Sequence, residues 1–141
     1  MPSPGIVARV TRARRSLEKL RWIASRPYEE YMSDEDLRVL AERYLHILLE
    51  AILDLAAFIA ALRGIARGPT YRDVVEAVIS AGLIPQELQG VAKSIPGMRN
   101  ILVHGYAEIR HDILYETLRS DLEALRRLLL VLWEEAEKLD P

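Results

Sequence analysis

The stretch that decides the fold is Ile47–Leu62, with the sequence ILLEAILDLAAFIAAL. Its apolar residues cover nearly every side of a helix. This pattern predicts that several neighbouring helices bury it, or that two subunits share it. The helix-start signal Ser33-Asp34-Glu35-Asp36 precedes the stretch and Gly64 follows it, so we expect a helix of roughly 45 Å that ends near Arg63.

The segments on either side of this helix also have helical periodicity. Apolar residues recur every three or four positions through residues 6–25, and a loop, Arg26–Met32, follows Pro27. After the long helix, Thr70 and Asp73 form a capping-box pattern that starts a third helix, and Gly82 ends it.

Two more helices complete the prediction. Pro85 begins the fourth, and Pro96-Gly97 is expected to break or kink it, leaving a second helical piece from Met98 to Gly105. Asp112 is the expected cap of the last helix, which runs to about Lys138. No segment alternates with period two, so the expected fold is all-α: an antiparallel bundle of four or five helices in one domain, residues 1–141.

The overall composition is that of an ordinary globular protein, with 50% hydrophobic and 28% charged residues. There is no cysteine, so disulfides and thiolate metal sites are excluded. The N-terminus lacks the apolar core of a signal peptide. Glu50 and Asp54 interrupt the apolar run, which is too short to cross a membrane. We therefore expect a cytoplasmic protein that does not contact a membrane.

Charge is unevenly distributed along the chain. Residues 1–26 carry a net charge of about +6 and the remainder about −8, within a total of −2. A basic first helix can face nucleic acid, but a solvated face that pairs with acidic neighbours fits the same pattern. Another polar pattern, His46, Glu50 and Asp54 at i, i+4 and i+8, fits either a metal site or a polar seam through an interface.

One octet, Arg99-Asn100-Ile101-Leu102-Val103-His104-Gly105-Tyr106, concentrates polar residues within an apolar segment. An imidazole moves protons near neutral pH, and a guanidinium holds a phosphate and stabilises its developing charge. These groups suit metal-free RNA cleavage. On one straight helix, however, His104 lies about 140° around from Arg99, so the two converge only if the helix unwinds or if two subunits combine. The residue types alone favour a structural role for the arginine, histidine and tyrosine over a catalytic one.

The octet resembles the R-x4-H-x-Y motif of the HepT-like toxins, a branch of the HEPN superfamily. The likeness extends to Pro69–Asp73, Gly82–Pro85, the Glu50–Asp54 centre of the long helix and the segment Asp112–Glu116. Pro96-Gly97, just before the motif, departs from the family pattern.

This resemblance implies a homodimer in which the motif helices face each other across a composite cleft. It implies a type VII toxin–antitoxin ribonuclease that needs no metal and no cofactor, with Arg99 and His104 as the catalytic pair and Asn100 as a supporting polar group. The implied partner is an MntA-type minimal nucleotidyltransferase that adenylylates Tyr106. The alternatives are a catalytically idle interaction and nucleotide-binding module that is only the adenylylation target, and a purely structural bundle.

Overall fold

The computed structural model describes residues 2–105, 107 and 109–141. In this part of the chain six helices and no strands are present: α1 (Pro4–Ala24), α2 (Tyr28–Ser33), α3 (Glu35–Arg63), α4 (Tyr71–Ser80), α5 (Gln86–His104) and α6 (His111–Leu139). The all-α bundle is therefore confirmed. The loop expected at Arg26–Met32 is wrong, because the short helix α2 forms there. It is anchored by Tyr31, which is fully buried.

Helix α3 is the centre of the bundle and packs against all five other helices. Asp34 caps its first turn by accepting a hydrogen bond from the Leu37 amide, so the cap lies one residue after the expected Ser33. Gly64 follows the end of the helix at Arg63, as the sequence predicted, and adopts the left-handed conformation with φ of 67°.

By length and composition alone, α3 is also apolar enough to cross a membrane. However, 56% of its most apolar window is buried inside the bundle. A core helix of a globular protein satisfies the same criterion, and we interpret α3 as such a helix because its apolar sides face α1, α4, α5 and α6.

The stripes predicted on the first and last helices form the walls of the core. On α1 the buried residues recur from Ile6 to Ile23, and on α6 they recur from Leu114 to Ala136. Together with α3 they form one cluster of buried side chains. Burial of a Leu or Ile side chain contributes roughly 1.5–3 kcal/mol, so these stripes outweigh any single local irregularity.

The break expected in α5 at Pro96-Gly97 is wrong, because the helix continues without interruption from Gln86 to His104. Proline inside a helix costs about 3 kcal/mol through the lost hydrogen bond and ring crowding. Here Pro96 is itself buried beside Ile95, and Leu102 is buried further along the same helix. Apolar packing on both sides of the proline therefore holds the helix together.

The start of α6 also differs from the prediction. Arg110 occupies the cap position without a side-chain cap, and Asp112 lies inside the first turn, where its carboxylate accepts hydrogen bonds from Arg110 at 2.7 and 3.2 Å. Helix α6 begins earlier than expected because His111 is held on both sides. Its Nδ1 lies 2.7 Å from the Tyr31 hydroxyl and its Nε2 lies 2.9 Å from the Glu42 carboxylate.

Candidate active site

Arg99 of α5 is held by Glu50 at the centre of α3. Its Nε donates to Glu50 Oε2 at 2.9 Å and its Nη2 donates to Oε1 at 3.3 Å, so both carboxylate oxygens are used. The side chains are 21% and 31% exposed, which leaves one edge of the pair open to solvent. Such a two-point contact fixes the plane of the guanidinium as well as its position.

Tyr71 completes this contact from a third helix. Its ring lies under the Arg99 guanidinium at 5.3 Å, and its hydroxyl donates to Asp54 at 2.9 Å and to Glu50 at 3.4 Å. Tyr71 is the first residue of α4, and the predicted capping box fixes its position: the Thr70 side chain accepts from the Asp73 amide, and Asp73 accepts from the Thr70 amide. We call Arg99, Glu50, Tyr71 and Asp54 the arginine cluster.

The cluster changes the acidity of its members. Burial by itself raises the pKa of Glu50, but the hydrogen bond and charge of Arg99, with help from His46 and Tyr71, lower it below its ordinary value. The pKa of Arg99 is raised, first by its hydrogen bond to Glu50. Burial raises the pKa of Tyr71, and its hydrogen bond to Asp54 raises it further. At neutral pH Arg99 is therefore a fixed cation, Glu50 an ionised carboxylate and Tyr71 a neutral phenol.

The stripe of His46, Glu50 and Asp54 is a polar seam between helices. His46 Nε2 lies 3.4 Å from Glu50, and Arg9 of α1 lies 3.6 Å from Asp54. Among the residues that the structure describes, no group of three or more histidine or acidic side chains has a metal-binding arrangement. The seam joins α1, α4 and α5 to the core helix.

The residues of the predicted motif have different positions. Arg99 is half-buried, and its Nη1 donates to the exposed Asn100 side chain at 3.3 Å. His104 is the last residue of α5; it is exposed and makes no hydrogen bond or ion pair with another described residue. Tyr106, the predicted adenylylation site, lies outside the described residues.

The structure therefore brings Asn100 to Arg99 but does not bring His104 to them. Because α5 is continuous, the angle of about 140° between Arg99 and His104 persists, and unwinding of the helix before His104 does not occur. The structure thus excludes unwinding before His104, and a site built from two subunits stays a prediction.

The sequence analysis missed that Glu50 is the partner of Arg99 and that Tyr71 supports both. A signal was available, because a carboxylate in the middle of an apolar helix needs a cation, and Arg99 interrupts another apolar segment. No sequence feature pairs these two positions, which are 49 residues apart.

Comparison with known proteins identifies the family. The family model for HepT-like ribonucleases matches residues 13–132. The chain belongs to the HepT-like ribonuclease family. The match contains every residue of the arginine cluster and the whole octet. Comparison with curated protein sequences finds no match.

Solved structures of this HepT-like fold are similar along nearly their whole length. One is a tri-AMPylated HEPN toxin of Shewanella oneidensis in complex with an MNT antitoxin, with a TM-score of 0.79 and 23% identity over 94% of this chain and 98% of that one. Another is a toxin–antitoxin structure with AMP-PNP, with a TM-score of 0.78 and 22% identity over 92% and 98%. The cytosolic protein YutE of Bacillus subtilis has a TM-score of 0.72 and 18% identity over 93% and 90%. At these identities the likeness establishes the fold.

Proposed function

We propose that this protein is the toxin of a toxin–antitoxin pair and cleaves RNA without a metal ion, using Arg99 of one protomer and His104 of the other. The observation that carries the proposal is the state of Arg99 within a HepT-like ribonuclease fold. Glu50 fixes its guanidinium, which has five N–H donors, and three donor contacts are made to other residues in the described part of the chain. The remaining donors are available to a phosphate.

Each residue then has a distinct role. The 2′-hydroxyl attacks the adjacent phosphorus and the 5′-oxygen leaves, so a proton must be removed at one oxygen and supplied at the other. His104 is suited to that proton transfer because it is an exposed imidazole. Arg99 stabilises the charge that develops on the phosphoryl oxygens, and Asn100 orients the guanidinium. Glu50 acts as a positioning residue for Arg99.

A homodimer supplies the missing geometry. Ile101 lies one turn before His104 on the same side of α5 and is 50% exposed, and Ile113 of α6 is 54% exposed. Both border an apolar groove of about 150 Å³. A second copy that covers these side chains brings its own α5 towards His104, and exposed apolar patches of this kind are typical of interfaces.

The proposed partner is a minimal nucleotidyltransferase that inactivates the toxin in the cytoplasm. It transfers AMP from ATP to Tyr106: the phenolic oxygen bonds to the α-phosphorus, pyrophosphate leaves and the phenol loses its proton. The AMPylated neighbour of the same fold supports this role. The modification adds bulk and negative charge two residues from His104, where we place the RNA backbone.

Mixing two inactive variants tests the composite site. Purified wild type is expected to cleave RNA in EDTA, and Arg99→Ala and His104→Ala are each expected to be inactive. If the subunits exchange, a mixture of the two variants recovers about a quarter of the wild-type activity, because half of the dimers contain one intact site. An inactive mixture whose subunits have demonstrably exchanged contradicts the composite site.

A catalytically idle adenylylation target is the alternative, and intact-mass measurement separates it from a ribonuclease. After co-expression with the nucleotidyltransferase, masses increased by AMP in wild type but not in Tyr106→Phe establish the modification. If the unmodified protein then fails to cleave RNA, the ribonuclease proposal is wrong and the adenylylation-target function is retained.

A further inference from the structure

A groove of about 190 Å³ runs between α1 and α3, directly beside the arginine cluster. Its cationic side chains are Arg9 and Arg12 from α1 and Arg43 from α3, and His46 lies among them. Glu50 and Asp54 line the same groove. Neither the motif nor the proposed catalytic step uses Arg12 or Arg43.

The acidic residues of the groove are already paired. Glu50 binds Arg99, while Asp54 accepts from Tyr71 and lies 3.6 Å from Arg9. Arg12 and Arg43 are both exposed, and neither has an ion pair or hydrogen bond within the described part of the chain. Two unpaired guanidinium groups therefore give this groove a local positive charge, although the whole protein is slightly acidic.

A second groove connects this charge to the motif. It has a volume of about 290 Å³ and is lined by Val39, Glu42 (which is paired with His111), Arg43 and His46 of α3 and by Leu102 and Val103 of α5. The last two residues immediately precede His104. Because Arg43 and His46 border both grooves, the surface is continuous from Arg12 to the end of α5.

We propose that Arg12, Arg43 and His46 form a basic track that binds the backbone of single-stranded RNA beside the bond to be cleaved. The identity of the ligand rests on the proposed function. The guanidinium groups contact phosphates, and the half-buried apolar side chain of Val103 offers a surface against which a base can lie. All three residues of the track belong to one protomer, so the RNA strand reaches each composite site along the surface of that protomer.

Binding measurements with an inactive protein test the track. In a His104→Ala background, a short unstructured RNA labelled with fluorescein is titrated at several salt concentrations. Adding Arg12→Ala and Arg43→Ala is expected to weaken binding about tenfold near 0.1 M salt, and to reduce the slope of log affinity against log salt by about 1.4, which corresponds to two phosphate contacts on a single strand.

A matched control removes the same charge from the other side of α1. Arg14 and Arg21 are exposed and line a different groove, between α1 and α6. The double variant Arg14→Ala and Arg21→Ala should retain the affinity within about twofold. An equal loss of RNA affinity in the two double variants indicates a general attraction of the protein for a polyanion. Unchanged RNA affinity in the track variant indicates that Arg12 and Arg43 do not contact the RNA. Either result overturns the proposal.

Kinetics separate this inference from the proposed function. With His104 intact, the track variant should raise KM about tenfold and leave kcat nearly unchanged, because it removes binding and not chemistry.

If wild type cleaves RNA and the track variant has unchanged kinetics, the track is wrong and the function stands. If wild type does not cleave but RNA binding depends on Arg12 and Arg43, the function is wrong and the track stands. Loss of binding to the nucleotidyltransferase alone, with RNA affinity unchanged, overturns the track as well.

Discussion

Two polar clusters attach neighbouring helices to α3, and they differ in one property. The first, which we call the histidine cluster, consists of Tyr31, His111 and Glu42. Both ring nitrogens of His111 have a partner, and Tyr31 is fully buried, with its ring 5.1 Å from that of Tyr115. In the arginine cluster, the carboxylate of Glu50 is shared among several donors, while Arg99 has N–H groups without a partner among the described residues.

The difference shows which polar cluster can bind something. Burial raises the pKa of Tyr31, the nearby charge of Glu42 raises it further, and the phenol stays neutral. Both ring nitrogens of His111 and the Tyr31 hydroxyl therefore have a hydrogen-bond partner within this cluster, whichever tautomer His111 adopts. A saturated cluster stabilises the fold, whereas a cluster with spare donors at a solvent edge is available to a ligand.

The sharpest way to separate the clusters is Arg99→Lys. Lysine retains the charge but loses the planar two-point contact with Glu50 and the phosphate donors, so RNA cleavage should fall about 100-fold. The urea midpoint should change little. Single-turnover cleavage and urea denaturation of the same preparation measure both effects. Cleavage within twofold of wild type would remove Arg99 from the proposed chemistry.

The converse change is His111→Ala in the histidine cluster. It leaves Tyr31 and Glu42 without their partner, so the free energy of unfolding should fall by about 2–3 kcal/mol. Cleavage per folded molecule should be retained at 25 °C. A stability loss below the error of denaturation, or a selective loss of kcat in folded protein, contradicts the assignment of this cluster to the fold.

Glu50→Gln tests the arginine cluster through pH. Glu50 has a lowered pKa in the folded protein, so its contribution to stability is present above its ordinary value near 4.5 and is lost as the pH falls further. Wild type should therefore lose more stability than Glu50→Gln when the pH is lowered from 5 towards 3, while at pH 7 the variant is less stable by about 1–2 kcal/mol. Urea midpoints measured across that range compare the two proteins. Parallel pH curves would contradict the prediction.

The smallest expected effect is the matched pair Tyr71→Phe and Tyr31→Phe. Tyr71→Phe keeps the ring under Arg99. Asp54 still has Arg9 as a partner and Glu50 still has Arg99, so the free energy of unfolding should fall by only about 0.5 kcal/mol. Tyr31→Phe leaves Nδ1 of His111 without its hydrogen-bond partner in the buried interior. The free energy of unfolding should therefore fall by about 1–2 kcal/mol. Thermal or urea unfolding gives both values. A larger loss of unfolding free energy for Tyr71→Phe than for Tyr31→Phe would contradict the distinction between the two clusters.

Local and periodic features explain what was predictable. The capping box at Thr70 and Asp73, the left-handed Gly64 and the buried stripes of α1 and α6 depend on residues within one turn or one face of a helix, and all were confirmed. The errors at α2 and Pro96 have the opposite cause. Burial of Tyr31 and packing around Ile95 and Pro96 come from other helices, and these contacts override weak local preferences.

The sequence by itself determined the helices other than α2, the apolar centre at α3 and the family motif, because periodicity, caps and residue spacing are properties of the chain in order. Only the tertiary structure decided that Arg99 binds Glu50 over Tyr71, and that His104 stands apart and exposed at the end of an unbroken helix. The physical reason is that an ion pair between residues 49 positions apart depends on how two helices are placed against each other, and their burial in a common core sets that placement.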